Sequence, residues 1–129
     1  MRRMNITTTE FRFEDSDTER LEIMSAIDYD ALPFGAIRLD SLGRVMAFNR
    51  TESLYSGLKQ QHVIGREWFH DIAPCTNTAK FYGKFKEGLL KGMVDASFDY
   101  VFTRFSEPAV RVHILKAPGE DFWFLIKRL

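Results

Sequence analysis

Apolar and polar positions recur along this chain with two different periods, and the changes between them mark its elements. Residues 1–17 are polar and mixed, with a Thr7-Thr8-Thr9 run, and read as a tail or cap outside the core. Asp17 or Thr18 then caps a short helix on which Leu21, Met24 and Ile27 share one face, until Asp28-Tyr29-Asp30 breaks the pattern. Phe34 to Leu39 reads as a buried strand, Asp40-Ser41-Leu42-Gly43 as a turn, and Arg44 to Asn49 as the returning strand of a hairpin. No long period follows before Cys75. Gly57, Gly65 and Pro74 punctuate short pieces there, and Thr51–Ser56 and Glu67–Asp71 read as single helical turns. Phe81, Phe85 and Leu89 stand four apart, with Tyr82 and Leu90 alongside, so Ala79 to Lys91 is an amphipathic helix that Gly92 ends.

Period two then takes over. Phe98, Tyr100 and Phe102 alternate with polar or outward positions, Val110, Val112 and Ile114 do the same, and Phe122 to Ile126 is a dense closing strand. Ser106-Glu107-Pro108 and Pro118-Gly119-Glu120 are the turns between them. Two strands, short helices, one longer helix and three strands predict an α+β fold: a five-stranded antiparallel sheet with helices packed against it. With 129 residues the chain reads as one domain that buries about two-thirds of its surface, enough for a core without staples.

Charge changes the picture by exclusion. Eighteen basic and eighteen acidic residues balance, which argues against a nucleic-acid binder with its basic footprint. The first apolar run is short and flanked by charge, so no secretory signal, spanning helix or membrane partner is expected, and a cytoplasmic location follows. One cysteine makes no internal disulfide, and twelve phenylalanines point to an aromatic interior.

Candidate chemistry is sparse. His62, His70 and His113 have no second ligand at helical spacing, and Cys75 has no cysteine partner, so no metal site is expected. No glycine-rich loop joins a strand to a helix. Cys75 reads either as a small buried hydrophobe or as a nucleophile approached by His113. On spacing alone Glu52 reads as a solvated glutamate, and Phe81 and Tyr82 as core.

The segment Val63-Ile64-Gly65-Arg66-Glu67-Trp68-Phe69-His70-Asp71-Ile72-Ala73-Pro74-Cys75-Thr76, followed by Phe81-Tyr82-Gly83-Lys84-Phe85-Lys86-Glu87-Gly88, closely resembles the photoactive yellow protein family. Phe34 to Asp40 and Trp123 to Arg128 do so too, and the likeness runs from Pro33 to Leu129. It implies a PAS fold: an N-terminal helical cap over residues 1–32 and a chromophore-binding core over 33–129. It implies that Cys75 carries p-coumaric acid (4-hydroxycinnamic acid) as a thioester, and that Glu52 is a buried acid hydrogen-bonded to the phenolate. Ser56 replaces a threonine whose hydroxyl supports that phenolate, and Trp68 and Phe102 join the binding residues. Two positions depart from the family pattern: Phe48 stands where a tyrosine donates to the phenolate, and Leu58 where an arginine covers the chromophore. The loop around Arg104, Phe105 and Ser106 also diverges.

The implied activity is blue-light reception without substrate turnover. Isomerisation of the chromophore is followed by proton transfer from Glu52, which leaves a buried, unpaired carboxylate and loosens the N-terminal cap. The output passes to a downstream signalling protein, from a monomer or weak dimer. Two other readings of the residues stay open: a PAS interaction module with a free cysteine, and a small thioesterase using Cys75 as nucleophile.

Overall fold

The computed structural model of the protein describes residues 12–15, 17–102 and 109–129. Strands β1 (Gly35–Leu39), β2 (Val45–Phe48), β3 (Val94–Val101), β4 (Ala109–Lys116) and β5 (Phe122–Arg128) pair antiparallel in the order β2-β1-β5-β4-β3. This is the five-stranded antiparallel sheet that the alternation predicts. The last strand lies at its centre, between β1 and β4, with Ile37 opposite Phe124 and Ile114 opposite Phe124 on the other side.

Each central strand carries apolar residues on both faces because both faces are covered. On one face Ile37, Leu39, Val110, Val112, Ile114, Phe122, Phe124 and Ile126 pack beneath the helical segment between β2 and β3. On the other, Ala36, Leu115, Trp123 and Leu125 lie beneath Phe13, Leu21, Leu32 and Phe34, so Phe13 is core although residues 1–17 read as lying outside it. Full burial of a phenylalanine or leucine stabilises by roughly 1.5–3 kcal/mol, so these two layers hold the fold. Edge strand β3 alternates half-buried Val94, Ala96, Phe98 and Tyr100 with exposed neighbours, as a one-sided strand must.

The helices are α1 (Thr18–Ile23), α2 (Ala26–Asp30), α3 (Arg50–Ser56), α4 (Gln60–Val63) and α5 (Tyr82–Lys91). The single N-terminal helix expected from Leu21, Met24 and Ile27 is two helices. Asp17 caps the first, Met24 is extended, and Ser25 starts the second by accepting from the Asp28 N–H at 3.2 Å. The break turns Ile27 to solvent, 82% exposed, while Leu21 stays buried. Helix α5 begins three residues later than predicted, and its inward face is Phe85 and Gly88 rather than Leu89. A Cβ at Gly88 would lie 2.7 Å from the Phe122 ring, so the helix sits closer to the sheet than any larger residue allows. Strand β3 starts at Val94, four residues before Phe98. The Thr7-Thr8-Thr9 run, the Arg104–Ser106 loop and the Ser106–Pro108 turn lie outside the described residues. Among the described residues no helix is long and apolar enough to cross a membrane.

Candidate functional site

The site grows from the turn that follows β2. Asn49 ends the hairpin and caps α3: its Oδ1 accepts from Ala36 N and Glu52 N, both at 3.0 Å, and its amide donates to the carbonyls of Tyr29 and Phe34. One buried side chain thus fastens α3 to β1 and to the end of α2, a satisfied network of the kind a buried amide requires. This anchoring rolls Glu52 inward, where it is 1% exposed. Spacing pointed to a solvated glutamate; the capping geometry overturns that. The carboxyl lies against Gly35, where a Cβ would come within 2.0 Å of Oε1, so only glycine leaves room for it.

Glu52 is not alone there. Arg128 donates from Nη1 to Oε1 at 2.6 Å and from Nη2 to Oε2 at 3.2 Å, with its side chain 10% exposed. In the chromophore-free chain Glu52 thus has a charged partner that the sequence reading did not supply. Period two along β5 carries Phe124, Ile126 and Arg128 to the same face of the sheet, which is the face α3 covers. That signal was present in the sequence. Desolvation raises the Glu52 pKa above the ordinary glutamate value, and the hydrogen bonds and charge of Arg128 pull it back. Tyr29, buried nearby with its hydroxyl donating to the Ala36 carbonyl, has its pKa pushed well up by burial and by the charges of Asp30 and Glu52.

Cys75 is half-buried in a 3-10 turn, Pro74–Thr76, and packs against the same apolar cluster that contains Phe48, Trp68 and Phe102. The turn is held from both sides. Thr76 Oγ1 donates to Ala73 O at 2.7 Å, and the Tyr100 hydroxyl donates to the Cys75 carbonyl at 2.7 Å. Tyr100 has spent its only proton on that bond, so Thr78 Oγ1 is the donor in their 2.9 Å contact. Ahead of this turn, Glu67 caps a π-helical turn, Trp68–Ile72, by accepting from Phe69 N and His70 N. Trp68 and Phe69 are thereby fully buried, and Phe69 stacks on Tyr82 at 4.3 Å. Phe81 is fully buried, edge-on to Tyr100 and Phe124.

The remaining sequence-predicted residues fall around α3 and the loop after it. Ser56, on α3 one turn after Glu52, accepts from Leu58 N at 3.2 Å. Leu58 packs on the cluster that holds Phe48, and Gln60 clamps the Phe48 carbonyl at 2.7 Å. Gln60, Asn49, Tyr100 and Arg128 are functional-site neighbours that motif reading missed. His113 is not brought to Cys75. It sits on the opposite face of the sheet, bonded to Asp95 at 2.6 Å and beside the Phe13 ring, so it is no base for the thiol. Its place follows from the alternation of β4, in which Val112 and Ile114 face the helices.

Two buried donors lack an acceptor among the described residues: Trp68 Nε1 and Arg128 Nε. Both belong to the helix-covered side, and an unsatisfied buried donor is destabilising by about 1–3 kcal/mol unless a ligand satisfies it. A sole cysteine at the edge of an aromatic cluster, a buried carboxyl and two unspent donors all lie on the helix-covered side of the sheet, and these are groups suited to a planar molecule with acceptor oxygens.

No protein-family model matches the chain. A photoactive yellow protein of Rhodothalassium salexigens is 40% identical over 121 residues, covering 92% of this chain and 97% of that one. Among solved structures, the photoactive yellow protein domain of the sensor histidine kinase Ppr from Rhodospirillum centenum superposes with a TM-score of 0.74 at 37% identity, covering 83% of this chain and 95% of its own. The PAS domain of an HTR-like protein from Haloarcula marismortui shares the fold at a TM-score of 0.60 and 20% identity, covering 87% of this chain and 96% of its own. At such identity over nearly the full length of its relatives, the chain belongs to the photoactive yellow protein family of PAS-fold photoreceptors.

Proposed function

We propose that the protein is a blue-light receptor in which Cys75 carries p-coumaric acid as a thioester and Glu52 moves a proton in response to light. The observation that carries this reading is the only cysteine packed against an aromatic cluster, with a fully buried glutamate on α3 on the same side of the sheet. The residues fit the group. Cys75 Sγ would hold the acyl end, and Phe48, Leu58, Trp68 and Phe102 would enclose an apolar ring. The two unspent donors, Trp68 Nε1 and Arg128 Nε, fit a molecule that supplies acceptor oxygens.

When bound, the cinnamoyl group would supply visible absorption and a double bond that isomerises. The rest is done by the chain. Glu52, kept from water and raised in pKa by burial, is suited to hold a proton beside an anionic oxygen. Giving up that proton turns its Oε1 and Oε2 into a full carboxylate inside a low-dielectric layer. Ser56 supplies a hydroxyl one helical turn away, whereas Phe48 supplies ring volume and no donor. Packing around α3 then changes, and the segment before residue 33 is the part we expect to loosen. Besides its buried Phe13, Leu21 and Leu32, that segment is fastened to the core by partly exposed polar contacts: Lys127 to Glu14 at 3.1 Å, Arg38 to Glu22 at 3.3 Å and Trp123 to Glu22 at 3.1 Å. The two ion pairs among these contacts are partly solvated and add little to the buried apolar layer. A downstream protein would read the exposed surface, and no turnover is involved.

Mass spectrometry of protein treated with an activated p-coumaric ester tests this. The reading expects one adduct, on Cys75, removed by hydroxylamine. An unmodified Cys75 under conditions that label it with a small thiol reagent would refute it.

A further inference from the structure

Arg128 ends one of the segments that carry the family resemblance but is given no role by it, yet it is the group that grips Glu52. Its guanidinium lies in the fork-to-fork arrangement with both carboxylate oxygens, under the ring of Tyr55 at 4.8 Å. A guanidinium has donors and no acceptor, so a fork at both carboxyl oxygens favours the ionised form of the group it grips, against the burial that favours the protonated one. A carboxyl that donates to a phenolate carries a proton on one oxygen, which weakens the guanidinium's charge-assisted bond to it. The two arrangements compete. Removing either partner would also leave the other charge buried and alone, so the two side chains act as a unit.

We propose that Arg128 is the exchange partner of Glu52: it holds the carboxylate before the chromophore is loaded and again after Glu52 has given up its proton. The second half rests on the photoreceptor reading; the first half does not. In that exchange Glu52 would give up its proton to the phenolate, with no bond to carbon changed, and the new negative charge would pass into the Arg128 pair. The groups facing Glu52 are Arg128 from β5 and Tyr29 from α2, with Tyr55 of α3 over the guanidinium. Arg128 is the one permanent cation among them.

The test begins with the chromophore-free chain. Carbon-13 NMR of labelled glutamate carboxyls follows the Glu52 titration, assigned by its loss in Glu52→Gln. Arg128→Gln is expected to move the midpoint upward by at least about one pH unit, a tenfold weaker acid, with Arg128→Lys in between. An unchanged midpoint overturns the proposal. Should Arg128→Gln fail to fold, the Arg128 Nε–H resonance decides: Glu52→Gln must shift it, and an unmoved signal overturns the pairing. The second arm uses protein loaded with an activated p-coumaric ester and light-minus-dark infrared spectra. Arg128→Gln must show less ionised Glu52 in the lit state than wild type, and an equal signal contradicts the exchange. If wild type takes up no chromophore, the photoreceptor reading fails, while the titration still decides whether Arg128 holds Glu52.

Discussion

Replacing Gly35 with alanine is the smallest perturbation that reaches the centre of the site. Its backbone is not in the left-handed region, so alanine meets no conformational obstacle there. The added Cβ would stand 2.0 Å from Glu52 Oε1 and 2.9 Å from Cδ. Ordinary contact is near 3.5 Å, so the carboxyl must retreat by about 1.5 Å. It is no loose side-chain end, because Arg128 holds both oxygens. Retreat weakens one or both of those charge-assisted bonds, each contributing about 1.5–3 kcal/mol, against an entropic gain of about 0.4–1 kcal/mol from removing a glycine. We expect a net loss of roughly 2 kcal/mol, which lowers the melting temperature of a chain this size by roughly 5–10 °C. Urea denaturation of wild type, Gly35→Ala, Glu52→Ala and the double variant isolates the contact. In the Glu52→Ala background only the 3.1 Å approach to the Cβ at position 52 is left, so the cost of Gly35→Ala should fall by at least half. An equal cost in both backgrounds, or none in wild type, would refute the close approach.

Cys75→Ala should give a folded protein that takes up no colour, and visible absorption after loading would remove Cys75 from its role. Phe48→Tyr restores a donor at constant ring volume; the anionic visible band of loaded Phe48→Tyr should titrate at lower pH than that of wild type, by about one or two units. Coincident titrations would show the lost donor fully replaced. Desolvation raises Glu52's pKa in the folded state, so its contribution is complete below the unfolded value and fades as pH rises through the folded one. The stability of chromophore-free wild type relative to Glu52→Gln, which does not ionise, should therefore fall across that window. Urea midpoints check it, and a rise with pH contradicts the assignment.

The sheet was legible because its signal is repeated: five alternating or dense apolar runs, each bounded by turn residues, admit few arrangements. What escaped were features decided by one side chain against another. Ser25 accepts a backbone N–H and splits a helix that Leu21, Met24 and Ile27 would have made continuous. Gly88 faces Phe122 where a four-residue spacing favoured Leu89. The site divides in the same way. Cys75 stands out by being alone, but the depth of Glu52 depends on Asn49 reaching Ala36, Tyr29 and Phe34, contacts distant in sequence. Arg128 could have been found, since its parity with Phe124 and Ile126 is plain in the strand. A charge near a chain end invites the assumption of solvent, and the central position of β5 defeats it.

The central claim is that light acts on a chromophore held by Cys75. The most direct measurement is the visible spectrum of purified protein mixed with an activated p-coumaric ester, before, during and after blue illumination. The account predicts a yellow protein whose visible band fades under blue light and returns in the dark, and a colourless Cys75→Ala control. A protein that stays colourless, or one whose colour is indifferent to light, would contradict it.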